Sequence, residues 1–158
     1  MSYRISPVTH AIFGSSQTQN YTGSTAGQFV YFNQEIDALS GISLSGSTGM
    51  NVTSRGDYLF NVSALFSQTS STGILYDLWF RKNGVPVDDS LTRITIQTAG
   101  NAQCLAVAMV LDLVKGDTVE LRWWSSSANG QLVAFNSLIN PTRPNCPSII
   151  ISVTKVSE

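Results

Sequence analysis

Apolar and polar residues alternate with a period of two along most of the chain, and no stretch repeats at the 3.6-residue period of an amphipathic helix. In segment 56–68, Tyr58, Phe60, Val62, Ala64 and Phe66 fall on one face of a strand, and Leu59, Asn61, Ser63 and Leu65 on the other. In segment 102–114 the apolar set is Leu105, Val107, Met109, Leu111 and Leu113. The same reading predicts strands at 11–17, 28–33, 42–44, 50–53, 73–82, 91–98, 118–125, 131–136 and 148–156. Gly56-Asp57 and Gly116-Asp117 read as bends that open strands, and Asn83-Gly84 as a two-residue hairpin turn. About ten antiparallel strands separated by Gly, Ser, Asn and Pro clusters predict an all-β fold, a single jelly-roll β-sandwich, and exclude an alternating α/β scaffold.

The second face of each long strand is unusual. On 102–114 it consists of Cys104, Ala106, Ala108 and Val110; on 56–68 it is too apolar for open water and too polar for an interior. Small, weakly apolar side chains let another surface approach closely. Leu59, Asn61, Ser63, Leu65, Cys104, Ala106, Ala108 and Val110 are therefore expected to form a subunit interface; the alternative cover is a loop or terminal arm of the same chain.

Composition supports a protein that lies against others. Hydrophobic residues make up 42% of the 158 and charged residues only 12%, where an average soluble chain has about 25% charged. The net charge of −1, with scattered basic residues, argues against nucleic acid. No run of apolar residues is long enough to span a bilayer as a helix, and residues 1–10 lack the apolar stretch of a secretory leader. These features predict a soluble product of a cytoplasm, with neither nucleic acid nor membrane as partner. Residues 1–10 are expected to be an N-terminal arm and 11–158 the domain. Longest of the apolar runs, 105–111 reads as a buried strand. Cys104 and Cys146 lack metal or redox spacing and are expected to stay free and partly buried.

Catalytic equipment is sparse. His10 is the sole histidine and has no acidic or nucleophilic neighbour in sequence. No serine lies in a G-x-S-x-G elbow, and the Gly-rich segment 43–49 has no lysine to hold a phosphate. Carboxylate pairs occur at Asp88-Asp89 and across Asp112 and Asp117; the first follows the hairpin as a solvated loop and lacks the alternating ligand ladder of a calcium loop. No enzyme activity, cofactor or metal is expected. Trp123-Trp124 and Trp79 invite a carbohydrate reading, but Trp123 should face the core with Val119 and Leu121; Trp124 should point outward beside Glu120 and Arg122, where it could serve a ligand, a neighbouring subunit or a loop, the structural use being the expected one. Asn20, Asn51 and Asn61 match the glycosylation pattern only by chance if no leader precedes them.

Three blocks taken in order are similar to the globular head of complement and tumour-necrosis-factor-like proteins: Gly56-Asp57-Tyr58-Leu59-Phe60, Phe80-Arg81-Lys82-Asn83-Gly84, and Leu113-Val114-Lys115-Gly116-Asp117-Thr118-Val119-Glu120-Leu121. The segment 140–151, with Ile42-Ser43-Leu44 and Trp123-Trp124-Ser125-Ser126, resembles versions of this head in tailed bacteriophages, those of cyanobacteria above all. The resemblance implies a TNF-like jelly roll of ten strands that forms a homotrimer through the sheet holding its first, central and last strands. It further implies a non-enzymatic virion structural protein made in a host cytoplasm, a capsid decoration or cement protein with the major capsid protein as partner and 1–10 as the arm touching the shell. The alternative is a receptor-binding fibre-tip or tail adhesin module whose loops around Asp88, Gly100 and Asn129 recognise a host surface glycan or protein. A polysaccharide hydrolase, which needs clustered carboxylates, fits least.

Overall fold

A computed structural model describes residues 8–39, 41–70, 73–139 and 141–157. The first seven residues of the expected arm lie outside them. Strands run in chain order as β1 (His10–Ser15), β2 (Gln19–Asn20), β3 (Gln28–Phe29), β4 (Gln34–Ala38), β5 (Ile42–Ser45), β6 (Gly49–Val52), β7 (Gly56–Gln68) and β8 (Ile74–Lys82). They continue as β9 (Val85–Pro86), β10 (Thr92–Ile96), β11 (Ala102–Leu113), β12 (Thr118–Ser125), β13 (Gly130–Leu132), β14 (Leu138–Ile139), β15 (Thr142–Arg143) and β16 (Ile149–Lys155).

Among the described residues two large antiparallel sheets result, with β14 and β15 paired apart from them. The first is organised by β7: β11 pairs along one edge, from Ser67↔Ala102 to Gly56↔Leu113. Along its other edge β7 pairs first with β13 and then with β16, and β16 leads on to β1 and β4. The second sheet runs β10-β8-β12-β6-β5, with β3 on β12 and the short β9 folded back on β8. Asn83 (φ 51°) and Gly84 (φ 81°) make the β8–β9 turn, both in the left-handed region that a two-residue hairpin demands.

The core lies between the sheets and is dominated by aromatic rings. Phe60 of β7 meets Phe80 of β8 edge-on, centroids 5.7 Å apart, and Phe66 touches both Tyr76 (4.8 Å) and Trp123 (5.8 Å). Tyr58, Phe60, Val62, Ala64 and Phe66 are all buried, as their alternation requires. Burial of each large ring contributes about 1.5–3 kcal/mol. Burial pushes the Tyr76 hydroxyl up to about 12, and that hydroxyl donates to the Ser67 carbonyl.

Several expectations need correction. His10, assigned to the arm, is the first residue of β1 and pairs with Thr154. Strand β4 is new: Gln34, Glu35, Ile36 and Asp37 are all exposed on a sheet edge, so no buried face imposes a period. The strand expected over 28–33 is regular only at Gln28–Phe29. Gly56-Asp57 is not a turn, since both residues already pair with β11. The turn before β12 does occur, with Gly116 at φ 92° and the Asp117 N–H donating to the Val114 carbonyl. The run 105–111 is not a buried strand: β11 is an edge strand among the described residues, Val107 and Met109 are only half-buried, and alternate positions face out.

Candidate functional site

The eight residues expected at an interface share one outward face. Register places Cys104 beside Leu65, Ala106 beside Ser63, Ala108 beside Asn61 and Val110 beside Leu59. The next strand extends the surface with Ile150, Ser152 and Thr154, each half-buried and opposite Ser63, Asn61 and Leu59. Cys104, Ala106 and Ala108 are exposed, as is Val110, at 55% of its surface. Farther along the sheet Ile36 of β4 covers the backbone at Gly14, where an added Cβ would stand 3.1 Å from the Ile36 Cδ1. The open part of the face is therefore β11, β7 and β16, and among the described residues no loop lies over it.

Both cysteines are free, and both are exposed rather than partly buried. β11 runs along the rim of an open sheet, and Cys146 lies on the 133–148 connection, bridged to Phe135 by paired backbone hydrogen bonds of 2.8 and 2.9 Å.

The outer surface of the second sheet carries a different arrangement. Trp124 of β12 lies opposite Asp77 of β8, and Arg122 opposite Trp79, so the two indoles occupy a diagonal on neighbouring strands. Asp77 is nearly buried and holds Arg93 of β10 in a two-pronged pair, Nε to Oδ1 at 2.6 Å and Nη2 to Oδ2 at 2.8 Å. That hydrogen bonding, with the attraction of the two charges, raises the guanidinium further above its usual value. Two loops wall the area. One is 24–27, tied down by Arg122 Nη1 donating to the Ala26 carbonyl at 3.1 Å. The other is 87–91, tied down by buried Ser90, whose hydroxyl donates to the Val87 carbonyl at 2.7 Å and accepts from the Phe80 N–H at 3.1 Å. The groove so formed measures about 580 Å³ and includes Trp79, Trp124, Asp88 and Asp89 in its lining.

Sequence order scatters these groups; the β10–β8–β12 register assembles them. Trp123 is fully buried and Trp124 half-buried beside Arg122 and Glu120, on the faces expected. Of the three loops expected together, Asp88 lines this groove. Gly100 and Asn129 instead meet at the end of β7, where Gly100 N–H donates to the Gln68 carbonyl and Thr69 N–H to the Asn129 carbonyl.

His10 Nε2 lies 2.9 Å from Asp37 Oδ2, with no nucleophile in the pair. Asp117 is tied to Lys82 and Asn83 rather than to Asp112. Among the described residues no three His, Cys, Asp or Glu side chains converge as a metal site, and no helix is long and apolar enough to cross a membrane.

No protein-family model matches the chain, and no curated protein sequence matches it. Solved structures do. An Eiger TNF from S. frugiperda superposes with a TM-score of 0.60 at 14% identity, covering 97% of this chain and 95% of that one. Murine APRIL gives 0.58 at 11% identity, covering 94% and 99%. The globular domain of a zebrafish complement 1qA protein gives 0.56 at 14% identity, covering 95% and 96%. The chain therefore has the TNF- and C1q-like jelly-roll fold over nearly its whole length, and at these identities the likeness is one of fold.

Proposed function

We propose that this protein is a non-enzymatic homotrimeric module that decorates the outside of a larger particle, a phage head being the setting the sequence resemblance favours. The observation that carries the reading is the open face on β11, β7 and β16, formed of small and weakly polar side chains and bounded by a strand edge that is unpaired among the described residues. Face and edge are different surfaces of one protomer. Contact of the face of one copy with the edge of the next is heterologous and propagates around a ring until it closes. A three-fold ring agrees with the trimer that the sequence resemblance implies. The absence of bulk at Ala106, Ala108 and Ser63 lets the neighbouring backbone come close, and Val110, Leu59 and Leu65 supply apolar area. Seated on a shell with the major capsid protein, such a trimer would bridge neighbouring subunits and stabilise them by mass action.

Two measurements test this. Sedimentation equilibrium of the full chain is expected to give a trimer that Ala108→Arg dissociates; a wild-type chain that stays monomeric at micromolar concentration overturns the assembly. Quantitative mass spectrometry of purified particles is expected to find the protein in hundreds of copies, in a multiple of three, against the major capsid protein. About a dozen copies would place it at a vertex or tail, and absence would remove the particle role. A receptor-binding module is the second reading, and the observation that favours it is the two-indole groove.

A further inference from the structure

We infer that the groove on the outer sheet is a binding site for a neutral oligosaccharide, with Trp79 and Trp124 as its stacking floor and Asp88, Asp89 and Arg93 as its hydroxyl-binding rim. This goes beyond the assembly reading and is independent of it, because groove and interface lie on opposite sheets.

The floor comes first. Diagonal neighbours on antiparallel strands stand about 7–8 Å apart, and side chains rise roughly perpendicular to the sheet. Trp79 and Trp124 thus form a strip of apolar surface two rings long rather than a box closing on one point. Each indole is half-buried, and neither makes a side-chain hydrogen bond to another described residue. A strip of this kind suits the flat C–H faces of consecutive sugar rings and provides no enclosure for a compact cation.

The rim decides the charge of the ligand. Asp88 and Asp89 are exposed and have no ion pair or side-chain hydrogen bond among the described residues. Both Asp77 oxygens are already engaged by Arg93, whose Nη1 is not part of that pair. Free acceptors and a free donor therefore line the same groove. A hydroxyl both donates and accepts, so vicinal hydroxyls satisfy both. An anion would meet two unpaired carboxylates, while the one guanidinium is already neutralised by Asp77.

The rim is also held in advance. Ser90 locks the loop on both sides, and Asp89 is fixed at φ 60°, a conformation that aspartate tolerates but does not prefer. A ligand entering a loop already ordered loses less to its immobilisation.

The test is a panel of immobilised neutral and anionic glycans probed with the full chain, followed by tryptophan-fluorescence titration with the best soluble neutral oligosaccharide. Saturable binding of a neutral glycan is expected, weakened about tenfold or more by Trp124→Ala, the loss of one stacked ring. Because Trp124 also touches the core, the exposed double change Asp88→Asn/Asp89→Asn supplies the second variant, expected to weaken binding with an unchanged melting temperature. Ala108→Arg should leave affinity per protomer unaltered while abolishing the trimer, which separates failure of this inference from failure of the assembly reading. The inference is overturned if no neutral glycan on the panel binds, if both groove variants bind as wild type does, or if sulfated glycans or tetramethylammonium bind in preference.

Discussion

Ser63 of β7 and Cys104 of β11 are diagonal neighbours on the open side of the first sheet, with Oγ and Sγ 3.1 Å apart. The pair sits on the small-residue face, toward its Leu65 end, so the thiol reports on whether that face is covered. In a Cys146→Ser background, maleimide labelling of Cys104 is expected to be slow at concentrations where the chain is assembled and fast after dilution. Once a bulky maleimide is attached, reassembly should fail. Equal labelling rates at every concentration would mean that the face stays open.

Gly27 and Trp79 are a second pair that the fold depends on. Gly27 adopts φ 74°, and a Cβ there would collide with the Trp79 ring and lie 2.9 Å from the Trp123 carbonyl oxygen. Gly27→Ala must therefore move either the indole or the 24–27 loop. We expect a loss of about 1–3 kcal/mol, from backbone strain and overpacking together, and a shift in tryptophan emission. A variant with wild-type stability and spectrum would show that the loop yields freely.

Much of this was legible before folding, for physical reasons that differ by element. In β7 and β12 the alternation of large rings with polar residues leaves one choice of inward face, so Tyr58, Phe60 and Trp123 could be assigned to the core directly. The face of Cys104, Ala106, Ala108 and Val110 was readable by the same parity. β4 was not, because an edge strand exposed at Gln34, Glu35, Ile36 and Asp37 has no buried side to set a period. Nor was the groove: Trp124 and Asp88-Asp89 were each visible as candidates, but their meeting depends on the pairing of β12 with β8 and on the hairpin that brings 87–91 back over the sheet.

Asp57 and Asp112 are direct cross-strand partners at the lower end of the same face. Like charges placed opposite each other repel, at a cost of about 0.2–1 kcal/mol. Asp112→Asn should therefore raise stability slightly at low ionic strength, and the gain should shrink as salt screens the pair. Thermal melts at two salt concentrations measure it. A destabilised variant would mean that the Asp112 carboxylate has a stabilising partner that outweighs Asp57.

Asp117 gives the fold a pH dependence of known sign. Burial by itself would raise its carboxyl. The Val114 N–H at 2.9 Å, Asn83 Nδ2 at 2.7 Å and the Lys82 ammonium at 3.1 Å outweigh burial and hold it below the usual carboxylate range. A carboxyl whose folded value lies below its unfolded value adds stability that is complete above the unfolded value of about 3.9, and that is lost as pH falls through the folded one. The unfolded chain takes up the proton first. Asp117→Asn removes both the charge and the titration, and it leaves the Asn83 amide and the Val114 N–H with a weaker acceptor. The variant should be less stable at pH 7 by about 1–3 kcal/mol, and the gap from wild type should narrow as acid is added below about pH 5. Urea melts of both proteins across that range supply the measurement. A gap that stays constant to pH 2 would mean the carboxylate acts only through the shape of the 114–117 turn and not through its charge.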